Sequence, residues 1–175
     1  MLQKTAHRVF ERKKILKTLI FGYGNADRQD DGVAWNLLHE VMQRNGLEIT
    51  DDFDIECSDE ANQVDYIFQL QLTPELADDL KLYDRVCFID AHTGAVPEDV
   101  HVENVEVGFQ KSPFTHHLTP SSLLAITDTI NHTIPETLLV SVRGYEFGFS
   151  QSLSPKTSSL IEKAADIIMN WMKQK

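Results

Sequence analysis

Three carboxylates and two imidazoles stand where chain geometry could bring them into one chemical group. Asp30 and Asp31 fall between a short apolar run and a helical pattern, and Asp90 closes the apolar run Arg85-Val-Cys-Phe-Ile-Asp90. His116 and His117 lie in a loop just before Thr119-Pro120, where a further helix opens. If Asp31, Asp90 and one histidine meet, two carboxylate oxygens and one imidazole nitrogen suit a borderline divalent ion such as nickel or zinc. A carboxylate at the mouth of an interior strand has to be paired, hydrogen-bonded or bound to a cation. The structural alternatives are ordinary ones. Asp30 or Asp31 could cap the helix, Asp90 could be salt-bridged, and the histidines could be exposed. Capping is the expectation for Asp30, whereas the potential partners of Asp31 point to chemistry.

Gly22-Tyr-Gly24-Asn25 follows the first apolar run, so a dinucleotide-binding loop has to be weighed. The third glycine of that fingerprint would fall at Asp27, and Asp30 and Asp31 would repel a pyrophosphate at the helix N-terminus. The turn reads better as a scaffold in which Gly22, Gly24, Asn25 and Gly32 bring backbone close to a ligand, with the carboxylates facing a crevice. The sequence has no HExxH helix, no cysteine cluster and no G-x-S-x-G elbow, which speaks against a self-contained zinc protease and a serine hydrolase.

The elements that must position these residues follow from hydrophobic period. Leu16 to Phe21 fits a buried strand ended by Gly22, and Val33 to Met42 repeats at helical spacing behind two N-terminal acids. Residues 47 to 63 read as an acidic surface excursion with a short strand at Phe53 to Cys57. Val64 to Gln69, Arg85 to Asp90, Val100 to Val107 and Leu138 to Val142 are the next strands. Thr73-Pro74-Glu75, Thr119-Pro120 and Ser154-Pro155 each supply a cap and a proline for a helix. Strands alternating with helices imply an α/β fold, a mostly parallel twisted sheet of about five strands flanked by helices in three layers. In such folds ligands bind beyond the carboxyl ends of the strands.

The 175 residues, 42% of them hydrophobic, suffice for one core, so a single domain is expected over 16–175 behind a basic arm at 1–15. Lys4, Arg8, Arg12, Lys13, Lys14 and Lys17 crowd the N-terminal stretch, read as a solvated arm or frayed helix leading into the first strand in preference to a docking arm. Acids outnumber bases 27 to 16, and a net charge of −11 makes a nucleic-acid partner improbable. No apolar run approaches the roughly 20 residues of a membrane helix, and the opening residues lack a secretory h-region, so a cytoplasmic protein is expected. Cys57 and Cys87 read as buried reduced thiols.

Gly22-Tyr-Gly24-Asn25-Ala-Asp-Arg-Gln-Asp30-Asp31-Gly32 resembles the GxGN…D(D/E)G opening motif of the nickel-iron hydrogenase maturation proteases. Phe88-Ile-Asp90-Ala91 is similar to that family's middle strand, Thr115-His116-His117-Leu118-Thr-Pro to its histidine loop, and Leu153-Ser154-Pro155 to the lead into its C-terminal helix. The four segments keep the family's order from about residue 18 onward; the basic arm lies outside the resemblance. The resemblance implies a phosphorylase/hydrolase-like sandwich and an endopeptidase that removes the C-terminal extension of a hydrogenase large-subunit precursor after nickel insertion. It further implies metal ligands at Asp31, Asp90 and His116, with His117 as the fallback, and a catalytic carboxylate at Asp31 or Asp90. The nickel would be borne by the substrate, and a monomer is expected. Asp31 stands where some members carry glutamate, a reach shorter by one methylene, about 1.5 Å. Ala34 stands where a glycine is frequent. A non-enzymatic nickel chaperone and a metal-dependent hydrolase of small peptides or amides are the alternatives.

Overall fold

The computed structural model describes residues 16–49, 55–108 and 118–174. The basic arm expected at 1–15 lies outside the described residues, as do His116 and His117. Six strands, not about five, form one mixed sheet: β1 (Thr18–Tyr23), β2 (Glu56–Asp59), β3 (Val64–Gln69), β4 (Arg85–His92), β5 (Val100–Asn104) and β6 (Glu136–Arg143), in the order β2-β3-β1-β4-β6-β5. The four central strands are parallel, and the short edge strands β2 and β5 run antiparallel to their neighbours.

The differences from the sequence reading are local and have physical causes. Gly22 does not end β1; it pairs in register with Phe68 and Ile89, and the strand runs on to Tyr23. Its missing side chain lets the start of α1 (Val33–Arg44) lie close, since a Cβ there would sit 3.2 Å from the Ala34 carbonyl oxygen. Of the edge strand expected at Phe53 to Cys57, residues 53 and 54 lie outside the described residues; β2 is described from Glu56, which pairs with Ile67, and runs past Cys57 to Asp59. The Val100 strand stops at Asn104 because its partner β6 has by then reached Leu138, near its own beginning. Thr73-Pro74 leads into a shorter helix, α2 (Leu76–Asp79). Thr119 caps α3 (Pro120–Asn131), its hydroxyl oxygen accepting from the Ser122 N–H. Ser154-Pro155 opens only one turn, α4 (Pro155–Ser158), before the long amphipathic α5 (Ile161–Lys173).

Alternation along the strands divides the core between two faces. Ile20, Cys87, Ile89, Val140 and Val142 pack under α1 and α5, with Leu37, Val41, Ala164 and Ile168. Leu19, Phe21, Val86 and Phe88 face the opposite way, against Leu76, Leu80, Leu123 and Leu124 of the α2 and α3 layer. Burying large aliphatic side chains on both faces of the central strands, at roughly 1.5–3 kcal/mol each, makes the sheet the rigid element on which any site must be built. Both cysteines are free, Cys87 buried and Cys57 only partly so, because it lies on the edge strand. Among the described residues no helix is long and apolar enough to cross a membrane.

Candidate active site

After β1 the chain passes through α1 to β2 and β3 on one side of the sheet, and after β4 it travels to β5, α3 and β6 on the other. The connections therefore diverge between the carboxyl ends of β1 and β4, which is where an open α/β sheet leaves a crevice. A cleft of about 700 Å³ occupies that position, lined among others by Tyr23, Arg28, Asp31, Asp90, Glu103 and Leu118. Two of the carboxylates singled out in the sequence, Asp31 and Asp90, thus share one cavity.

Asp31 reaches the cleft from a 3-10 turn, Gln29–Gly32, that precedes α1. Gly24 has φ +140°, and a Cβ on it would collide with the Asp31 carbonyl oxygen, so only glycine lets the β1 exit fold back on this turn. Gly32 serves the same closure, because a Cβ there would sit 2.8 Å from the Ala26 Cα. The Asn25 N–H then donates to Asp31 Oδ2 at 3.1 Å, and the Asp31 N–H donates to the Arg28 carbonyl at 3.2 Å. Of the scaffold residues read in the sequence, Gly22, Gly24, Asn25 and Gly32 set the path of the loop; Asn25 also lines the cleft.

Asp30 does neither of the things expected of it. It does not face the crevice, and its side chain caps no helix: it is fully buried and turned toward the segment 144–154. Its Oδ2 accepts from the Tyr145 N–H at 2.7 Å, the Glu146 N–H at 2.8 Å and the Ser154 hydroxyl at 2.7 Å, while Oδ1 accepts from the Ser154 N–H at 2.7 Å. Burial alone would raise its pKa; the bonds from Ser154, Tyr145 and Glu146 overcome that and hold it at about 2. The carboxylate thereby fastens the turn that carries Asp31 to the lead into α4.

Asp90 is in the opposite situation. It lies on the face shared by Val86 and Phe88, two residues before the end of β4, so the strand outruns the carboxylate rather than ending at it. Burial pushes its pKa up to about 7; hydrogen bonds from the Tyr23 hydroxyl and the Ala91 N–H, the latter 2.7 Å, pull it down, and the negative charge of Asp31 raises it again. The Tyr23 phenol is in turn held protonated, first by burial and then by Asp90. A carboxyl poised near neutrality can take a proton and return it.

Tyr23 and Arg28 escaped the sequence reading. Leu19, Phe21 and Tyr23 alternate onto one face, so the signal for Tyr23 was there: it is the first residue of that face to emerge from the core beside Asp90. Nothing in the sequence distinguished Arg28. Among the described residues no group of three or more His, Cys, Asp and Glu could hold a metal ion. Leu118, the residue after His117 in sequence, lines the cleft.

No protein-family model and no curated protein sequence matches this chain. Solved structures do share its fold. The hydrogenase maturating endopeptidase HybD from Escherichia coli superposes with a TM-score of 0.66 at 17% identity, over 90% of this chain and 93% of the other. The [NiFe] hydrogenase maturation protease HycI from Thermococcus kodakarensis gives 0.61 at 16% identity, over 91% and 94%. A hydrogenase 2 maturation peptidase from a Thaumarchaeota archaeon gives 0.58 at 18% identity, over 91% and 99%. At these identities the likeness is one of fold, and it extends over nearly the whole chain; in this chain that fold is an α/β domain with a mixed six-stranded sheet flanked by helices.

Proposed function

We propose that this protein is an endopeptidase that removes the C-terminal extension of a nickel-iron hydrogenase large-subunit precursor once nickel has been inserted. The observation that carries the reading is the meeting of Asp31 and Asp90 in one cleft, at the divergence of β1 and β4, in a fold shared with maturation endopeptidases. The nickel is part of the substrate. Asp31 and Asp90 supply two of its oxygen ligands and His116 the nitrogen, with His117 as the alternative; the chain comes into the cleft at Leu118, directly after them in sequence. An oxygen- and nitrogen-only set lacking thiolate grips nickel less firmly than a cysteine-rich site, so it can test for the ion without extracting it.

For hydrolysis, a carboxylate takes a proton from water as the water oxygen bonds to the scissile carbonyl carbon. The carbon–nitrogen bond then breaks and the departing amine carries the proton away. Asp31 or Asp90 performs that duty; in the metal-free cleft burial, and to a smaller extent the charge of Asp31, pushes Asp90 up to about 7. Incubating the protein with nickel-loaded precursor and following the released tail by mass spectrometry tests the reading. Asp31→Ala, Asp90→Ala and His116→Ala are each expected to slow cutting by about a hundredfold or more; cutting at the native rate by all three would remove the site. Precursor that is bound but never cut by the native protein would instead indicate a nickel chaperone.

A further inference from the structure

Arg28 is the one cation among the described residues that line the cleft, where Asp31, Asp90 and Glu103 make the wall acidic. Its backbone is fixed on both sides. The Arg28 N–H donates to the Asn25 carbonyl at 3.0 Å, its carbonyl accepts from the Asp31 N–H, and it forms a parallel bridge with Ser150. The side chain is exposed, and no described carboxylate pairs with it: the ion pairs of Lys17, Arg44, Lys81, Arg85 and Arg143 lie elsewhere. Asp31, three residues on, already accepts from the Asn25 N–H.

We infer that Arg28 forms a carboxylate-binding subsite that orients the polypeptide substrate in the cleft. A guanidinium presents a planar fork of donors matched to a carboxylate, and one with no partner among the described carboxylates, beside acidic walls, is the position in this cleft where a substrate carboxylate is attracted rather than repelled. The carboxylate is either the free C-terminus of the substrate or an Asp or Glu side chain within it. The inference rests on reading the cleft as a site of polypeptide cleavage. Arg28 positions the chain; it takes no part in the bond-breaking step.

The test uses the full-length protein, Arg28→Ala and Arg28→Lys, with a synthetic peptide spanning the tail of a hydrogenase large-subunit precursor. Its partners are the same peptide amidated at its C-terminus and a version with Asp and Glu replaced by Asn and Gln. Binding is read by fluorescence anisotropy, and cleavage of nickel-loaded precursor gives KM and kcat across pH. Arg28→Ala is expected to weaken binding and raise KM on the order of tenfold, with kcat and the pH profile little changed and Arg28→Lys recovering part of the loss. Whichever peptide lacks the relevant carboxylate should lose the same affinity on the native protein and nothing further on Arg28→Ala, which identifies the source. Native affinity in Arg28→Ala, equal losses for peptides with and without carboxylates, or a changed pH profile alone would overturn the inference. Failure of the native protein to cut precursor would sink the proposed function, while the anisotropy comparison would still decide on Arg28.

Discussion

Asp30 and Asp90 are carboxylates withdrawn from water on opposite sides of the same loop, yet one is held at about 2 and the other at about 7. Asp30 has no surface exposure and Asp90 has some, yet Asp90 is the one with more protein packed around it, so burial weighs more heavily on Asp90. The donors add to this: Asp30 receives four hydrogen bonds, three of them from backbone N–H groups of the 144–154 segment, whereas Asp90 has the Ala91 N–H and the Tyr23 hydroxyl and shares its cleft with the charge of Asp31. Buried charge with a full complement of donors is a fastening, and buried charge with too few is a reactive group. The contrast teaches that a pair of aspartates in a sequence cannot be ranked by expected exposure; what matters is which way each faces and who donates to it.

The largest effect should come from destroying the fastening. Asp30→Ala leaves the Tyr145, Glu146 and Ser154 donors without their acceptor, and denaturation in urea should show a loss of about 3–5 kcal/mol. A loss below about 1 kcal/mol would mean water replaces the carboxylate and the contrast fails. In the native protein the depressed pKa contributes stability that is full above 3.8 and is lost progressively as pH falls from there through about 2. Asp90 has the reverse sign. Between 3.8 and about 7 the folded protein keeps a proton that the unfolded chain releases, so stability declines as pH rises through that window. Asp90→Asn, which retains an acceptor for the Ala91 N–H, should therefore stabilise the metal-free protein by about 1–3 kcal/mol at about pH 8 while abolishing cleavage. Unchanged or lowered stability would show that Asp90 is satisfied after all. The smallest effect belongs to Tyr23→Phe. Deleting the hydroxyl removes one donor, and carboxyl-detected NMR titration should place Asp90 above about 7, by a fraction of a pH unit.

Much of the fold was legible because the parallel strands are buried on both faces and read as unbroken apolar runs, while the helices repeat at their own period. The edges were not. Glu56–Asp59 alternates among acids and has no apolar run of its own, so its pairing with β3 is a tertiary event. That Asp31 and Asp90 share one cleft could be anticipated from the sequence, because each comes after an apolar run and the crevice of such a sheet opens there. The role of Asp30 could not, since its donors lie more than a hundred residues away at Tyr145, Glu146 and Ser154. Arg28 was hidden for a related reason: an arginine in a polar turn reads as solvated until the turn is seen to form the wall of a cleft.

The amino-acid order by itself determined the strand–helix alternation, the glycine-bearing turn after the first strand and the presence of a carboxylate near the end of the middle one, because period, sterics and burial act within a few residues. Only the tertiary structure decided which strands became neighbours, that Asp31 and Asp90 would face each other across one cavity, and that Asp30 would turn away from it. Those outcomes depend on donors and charges delivered from distant parts of the chain, and electrostatic free energy in a low-dielectric interior is set by what lies within a few ångströms, whatever the separation in sequence.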